Sequence, residues 1–332
     1  MEIQRSFHSL KTYCSKAFAE YFGGFSCAFF DIETTGLSPV HNSCILGGVL
    51  FIEGDRGECV QIFAEKETEE RELLQEYCAL LSKADILISY NGNRFDLPFL
   101  SARLSALGLP RLLNTPHSFD LYRAVNVYSP FRSFLPNLKQ KTLESYLGIS
   151  EERKDLIDGQ QSVERYREYL CAPSQALKEE ILLHNRDDLM QLSRLMVVLD
   201  KLDLHRIVYH EGFSVAATAG KAFLHSMNTS PRTLRIEGTT RGILQDYHCY
   251  EAGYQATHLH AEQTLDLLIP CSSWKNSIYT DLSLLPLSPE LFQESPAANS
   301  GYLILREQGE IHYREVNFLA KQLVQRILEN IH

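Results

Sequence analysis

Apolar positions recur at helical spacing from residue 5 to 22, through Phe7, Leu10, Tyr13, Cys14, Ala17, Phe18 and Tyr21, and this period predicts an amphipathic helix. The pattern then changes to a short, nearly continuous apolar run, SCAFFDIE (26–33), of strand length. SCILGGVLFIEG (43–54) and ECVQIFAE (58–65) flank a Gly54-Asp55-Arg56-Gly57 turn and predict a hairpin. Thr68 to Leu81 opens with acidic residues and continues at helical period, and DILISY (85–90) is again strand-like. A helix follows from about Arg94 to Leu107, closed by Gly108 and Pro110, then a strand at 117–121 and mostly helix to about 204. The order predicts an α/β domain, a mixed β-sheet with helices packed on it.

Beyond about residue 205 the texture changes. His205 to Met227 reads as helix, and RTLRIEG, GILQDYHCY, YQATHLHAEQTLDLLIP and GYLILREQGEIHYREV read as β-segments before a C-terminal helix at 316–330. The Pro/Ser-rich stretch PLSPELFQESPAANSG (286–301) predicts a mobile loop. The expected organisation is therefore an N-terminal helix (1–24), a main domain (25–204) and a smaller C-terminal α+β region (205–332). A length of 332 residues suits this count.

Composition narrows the class. Hydrophobic residues make up 44% and charged residues 22%, which is globular. No window approaches a membrane helix, and the first residues lack the apolar core of a secretory signal. Eight scattered cysteines without a CxxC pair make a poor disulfide or zinc framework and predict a reducing, cytoplasmic setting. His248, His258 and His260 with Cys249 and Cys271 match no zinc-finger spacing.

The net charge of −10 argues against a phosphate-rich partner, but the average conceals a block. Residues 94–141 carry Arg94, Arg103, Arg111, Arg123, Arg132, Lys139 and Lys141 against Asp96 and Asp120 alone. Phe119, Tyr122, Tyr128, Phe131 and Phe134 are interleaved with them. Cations among aromatics suit a single-stranded nucleic acid, and equally a solvated helix face over core rings.

The first strand raises a chemical question. Asp31 and Glu33 lie two residues apart, so they share one face at roughly 6.6 Å. Two like charges at a buried strand end require a proton or a cation. Asp96 opens a helix after an Asn-Gly turn, where a carboxylate also compensates the helix dipole. In LLHNRDDLMQLSRLMVVL (182–199), His184 and Asp188 stand at i, i+4 on the apolar stripe, whereas Asp187 falls on a wetter row. Four carboxylates on the apolar side of three elements make an oxygen-rich ligand set, suited to Mg²⁺ or Mn²⁺ rather than zinc. Two such ions about 3.5–4 Å apart are a common apparatus of phosphodiester cleavage, and His184 is the candidate base.

DIETTGL, NGNRFDLPFL and HNRDD, in this order, resemble the three motifs of the DEDD-type 3′–5′ exonucleases, and most closely the YprB-like ribonuclease-H-like group. The likeness covers about residues 25–200. It implies a ribonuclease-H-like fold, with Asp31, Glu33, Asp96 and Asp188 holding two divalent ions and His184 orienting or deprotonating the water. It also implies that Thr34 and Leu37 meet the terminal nucleotide, and that Asn91 and Phe95 shape the pocket. His184 stands four residues before Asp188, the spacing of the family's Tyr-type branch, with His in the Tyr slot. Asp120, in SFDLY, resembles a further family position or simply anchors the helix that follows. The expected partner is nucleic acid, DNA or RNA. A non-catalytic binding module on this scaffold is the alternative, and the unassigned C-terminal region leaves room for a protein partner.

Overall fold

In the computed structural model, which describes residues 1–109 and 117–331, the elements alternate as an α/β protein and then become mostly β. The chain runs β1 (Glu2–Ser9), α1 (Lys16–Phe22), β2 (Cys27–Thr34), β3 (Cys44–Glu53) and β4 (Arg56–Phe63). Then come α2 (Glu70–Leu81), β5 (Ile86–Ser89), α3 (Asp96–Ala106), β6 (His117–Asp120), α4 (Leu121–Tyr128), α5 (Gln140–Leu147), α6 (Gly159–Cys171) and α7 (Gln175–Leu195). Residues 1–15 and 24–202 form one compact unit, and 16–23 with 203–332 form another.

The first unit is built on a six-stranded mixed sheet in the order β1-β4-β3-β2-β5-β6. The β2–β3–β4–β1 part is antiparallel, while β2–β5 and β5–β6 are parallel. The pleat sorts β2 into two faces. Phe30 and Ile32 join Leu73, Leu74 and Tyr77 of α2 and Phe99, Leu100 and Leu104 of α3 in one core. A smaller cluster, Ile45, Leu46, Phe63, Tyr166, Tyr169, Ile181 and Leu182, holds α6 and α7. Asp31 and Glu33 are the alternate residues of β2, out of register with Phe30 and Ile32.

The N-terminal segment corrects the periodicity. Residues 2–9 are a strand, and only 16–22 is helical. Eight register pairs with β4 satisfy backbone groups that a helix would have left beside an open sheet edge. Ile3 and Phe7 consequently face outward, with Arg56 stacked 4.1 Å over the Phe7 ring. The stretch read as helix to 204 also breaks. Gly148 ends α5 in the left-handed conformation, residues 153–157 are irregular, and Asp158 opens α6 through a capping box with Gln161. The Pro110 stop signal and Arg111 lie outside the described residues.

The second unit contains α1, α8 (Leu204–Glu211), β7 (Phe213–Ala217), β8 (Gly220–Thr229), β9 (Thr233–Arg241), β10 (Tyr247–Tyr250), β11 (Gln255–Leu259) and β12 (Thr264–Pro270). It closes with β13 (Ser272–Trp274), β14 (Ser277–Asp281), β15 (Tyr302–Glu307), β16 (Glu310–Ile311) and α9 (Tyr313–Asn330). One antiparallel sheet runs β10-β11-β12-β9-β8-β7 and another β13-β14-β15-β16. The helix expected over 205–227 stops at Gly212, and 213–229 is a hairpin whose buried Phe213, Val215 and Leu224 obey a period of two. Residues 286–301, expected as a loop, contain two short 3₁₀ turns that bury Phe292 and Ala298. No helix among the described residues is long and apolar enough to cross a membrane.

Candidate active site

The carboxylates gather where β2 meets α3 and α7. Asp31 and Glu33 come from β2, Asp96 from the first turn of α3, and Asp188 and His184 from the middle of α7. Asp96 Oδ1 accepts the backbone N–H of Ile32 at 3.2 Å, which ties α3 to the strand carrying the first pair. His184 Nε2 lies 3.8 Å from Glu33 and 3.7 Å from Asp188. Burial, then the charges of Asp96, Glu33 and Asp188, push the Asp31 carboxyl well above its ordinary value. Burial pushes Glu33 up to about 7, with Asp188 adding to it and His184 opposing, and burial raises Asp96 to about 7 as well.

A second tier holds this set. The Asn185 amide donates to Asp31 Oδ2 at 2.8 Å, and its oxygen accepts from Gln61 Nε2 at 2.9 Å, which fixes the amide's orientation. Room for Asn185 comes from Gly48 on β3, where a Cβ would stand 2.1 Å from the amide oxygen. Gly48→Ala is expected to displace Asn185 from Asp31 and to destabilise the first unit by about 1–3 kcal/mol, as an overpacked core position does. Denaturant melts check this; an unchanged midpoint would mean the helix gives way freely.

Asp155 is the residue that the motif pattern missed. Its carboxylate accepts from His184 Nδ1 at 2.6 Å, from Lys141 at 3.0 Å and from Arg153 at 3.0 Å. Although burial opposes ionisation, these bonds to His184, Arg153 and Lys141 hold Asp155 below the usual carboxylate range. Nδ1 of His184 therefore carries a proton, and Nε2 faces Glu33 and Asp188. Burial lowers the imidazole pKa, but Asp155, Glu33 and Asp188 more than offset this and raise it to about 9. Arg153 also contacts Asp188 Oδ1 at 2.6 Å and forks onto the fully buried Glu144 of α5. No local period places this loop, which lies between the Gly148 end of α5 and the Asp158 cap of α6.

Asp187 departs from its expected place. It is buried, and one carboxylate oxygen accepts the backbone N–H groups of Lys154 and Asp155 at 2.6 and 2.7 Å. The wetter row of α7 is covered because the 153–155 loop folds over it. Asp188 faces the carboxylates, and its side chain is 25% exposed.

Among the described residues, Asp155, His184 and Asp188 offer ligand atoms that all lie within 4.8 Å of one another. This trio already has its cation, because Arg153 pairs with both aspartates. Asp31, Glu33 and Asp96 have no Arg or Lys partner among the described residues, and the second oxygen of Asp188 lies 3.7 Å from the same His184 Nε2 that faces Glu33. All four carboxylates are oxygen donors, and a group of buried carboxylates that resists ionisation fits hard divalent ions.

The remaining predicted residues separate by exposure. Thr34 is buried, and its hydroxyl donates to the Gly36 carbonyl at 2.8 Å, holding the turn after β2. Leu37 stands at the surface, 83% exposed. Phe95 packs on Phe99 at the core's edge. Asn91 has a left-handed φ of 69°, and it lines an open groove of about 760 Å³. Asp120 clamps that turn by accepting the N–H groups of Asn91 (2.8 Å) and Asn93 (3.1 Å), and it caps α4. Among its described contacts Asp120 serves as an anchor.

The chain belongs to the RNase H superfamily: the RNase_H_2 family model matches residues 28–200. A curated relative, DNA polymerase 1 of Aeropyrum pernix, is 38% identical over 64 residues, 19% of this chain and 6% of that protein. The solved family B DNA polymerase of Pyrobaculum calidifontis aligns with 52% of this chain and 24% of its own, at 20% identity and a TM-score of 0.41. The chain thus spans a small part of both proteins. The superfamily supports a nuclease-type function, acting on nucleic acid.

Proposed function

We propose that the protein is a metal-dependent 3′–5′ exonuclease that hydrolyses phosphodiester bonds at single-stranded DNA or RNA ends. The observation that carries this is the convergence of Asp31, Glu33, Asp96 and Asp188, from three elements, where burial and then the charges of Asp96, Glu33 and Asp188 raise the proton affinity of Asp31, and burial with the charges of Asp188 and Asp96 raises that of Glu33. These four would hold two divalent ions, Mg²⁺ or Mn²⁺. When bound, such ions activate water and stabilise the departing oxyanion. His184 would take the water's proton at Nε2 once bound ions offset the Glu33 and Asp188 charges that raise its pKa in the metal-free protein, with Asp155 keeping Nδ1 protonated and aiming the ring. Leu37 would meet the terminal base, while Asn91 and Phe95 shape the pocket wall and Thr34 fixes the turn presenting Leu37. A cytoplasmic setting fits the eight free thiols.

The test is a panel of 5′-labelled single-stranded, duplex, 3′-tailed and branched DNA and RNA with Mg²⁺ or Mn²⁺. A ladder shortening from the 3′ end is expected; full-length labelled strands under every divalent ion, with binding retained in EDTA, would make the protein a binding module instead.

Asp155→Asn probes the dyad. The His184 pKa, followed by NMR in metal-free protein, is expected to fall from about 9. The turnover number should drop about 10–100-fold with the Michaelis constant little changed. An unmoved imidazole titration would remove Asp155 from this role.

A further inference from the structure

Beside the carboxylates lies the groove of about 760 Å³ that Asn91 borders. One wall is Tyr90 and Arg94, at the entry to α3; the other is the 132–140 segment and Tyr122 of α4. Arg94, Arg132 and Lys139 line it, and no acidic residue does, in a chain whose net charge is −10. All three side chains are exposed, and among the described residues Arg94 and Lys139 have no ion-pair partner. Arg132 contacts only the neutral Asn126 (2.6 Å) and Tyr122 hydroxyl (3.4 Å), so its charge is also uncompensated. Tyr90 and Tyr122 meet edge to face at 5.6 Å, and the Tyr90 hydroxyl donates to the Leu138 carbonyl, which fastens the two walls together.

Two of its lining residues connect it to the candidate site. Gln140 Nε2 donates to the backbone carbonyl of Asp188 at 3.0 Å. The other wall is the Asn91 turn that leads into Asp96. A ligand lying in the groove would therefore touch Gln140, which is bonded to the Asp188 backbone, and Asn91, five residues before Asp96.

We propose that this groove is the track of a single nucleic-acid strand, with Arg94, Arg132 and Lys139 on its phosphates and Tyr122 against a base. The direction of travel rests on the nuclease function proposed above, whereas binding itself does not. Cations unpaired among the described residues match a polyanion, and accessible rings reward unpaired bases, which a duplex withholds. An acidic protein segment would use the cations and leave the tyrosines idle.

The experiment measures anisotropy of labelled oligothymidylate, oligouridylate and a blunt duplex on the full chain in EDTA, across a salt series. The triple variant R94A/R132A/K139A is expected to bind the single strands about 100-fold more weakly at about 0.1 M salt. Its log–log salt slope should be shallower by about 2, the sum of about 0.7 for each lost phosphate contact. R94K/R132K should keep the parent slope. Tyr122→Ala is expected to weaken binding about tenfold at an unchanged slope. Unequal affinity for the thymidylate and uridylate strands would identify the sugar preferred. If the triple variant binds with the parent's affinity and slope while the parent releases nucleotides with Mn²⁺, the track is overturned and the nuclease function stands. If the parent binds through these cations yet releases nothing under any divalent ion, the nuclease function fails and the track stands. Equal affinity for the duplex, or displacement by polyglutamate at equal charge, would overturn the proposal.

Discussion

Replacing Asp31 with alanine is expected to lower metal-dependent nucleotide release by at least about a thousandfold while leaving the fold intact. Asp31 is the carboxylate whose ionisation is opposed by all three of its proposed co-ligands, Asp96, Glu33 and Asp188. Removing it deletes a donor central to the set, and the loss of one preorganised electrostatic group already costs about 10²–10³ in rate. The same substitution relieves repulsion. Asp31→Asn, which keeps the volume, should raise the melting temperature of the metal-free protein by several degrees, at about 2–4 °C per kcal/mol for a unit of this size. Rate assays beside thermal melts check both halves. Release at the parent's rate would defeat the proposed site, and a lower melting temperature for the asparagine variant would show that Asp31 is a structural ligand of Asn185 first.

The second large effect is on stability against pH. Glu33 and Asp96 titrate at about 7 in the fold, against ordinary values of 4.5 and 3.8. Between about pH 4 and 7 the folded, metal-free protein therefore keeps protons that the unfolded chain has released, so its stability falls as pH rises. Each group contributes up to about 1.4 kcal/mol per pH unit over that window. His184 acts with the same sign. Its pKa is raised from 6.5 to about 9, so its stabilising charge is fully present below 6.5 and is lost as pH rises through 9. Divalent ions take the place of the protons on the carboxylates. Mn²⁺ at a hundredfold excess over its pH 8 dissociation constant should add about 2.7 kcal/mol at pH 8, and the same concentration should add less at pH 5. Melts with and without Mn²⁺ at both pH values decide it; a gain independent of pH, or one kept by Asp31→Ala, would place the ion elsewhere.

These effects trace back to features of unequal visibility in the chain. Asp31, Glu33, Asp96, His184 and Asp188 could be picked out because each sits on an element whose local period states which way it points. The strand alternation of FFDIE and the i, i+4 spacing on α7 are both local rules. Asp155 and Arg153 follow no such rule. They lie in an irregular loop, placed by Asp187 through two backbone N–H groups from the far side of α7. For the same reason Asp187 looked exposed when its own helix alone was considered.

The amino-acid sequence alone determined the α/β order of the first unit, the strand that presents two acids together, and the helix that presents His184 with Asp188, because these depend on contacts within a few residues. Tertiary structure alone decided three things: that residues 2–9 pair with an open edge instead of forming a helix, that Asp155 sets the proton on His184, and that Arg94, Arg132 and Lys139 line one groove. Each joins groups far apart along the chain, and the free energy that selects them, a satisfied sheet edge or a compensated buried charge, exists only once the distant partner has arrived.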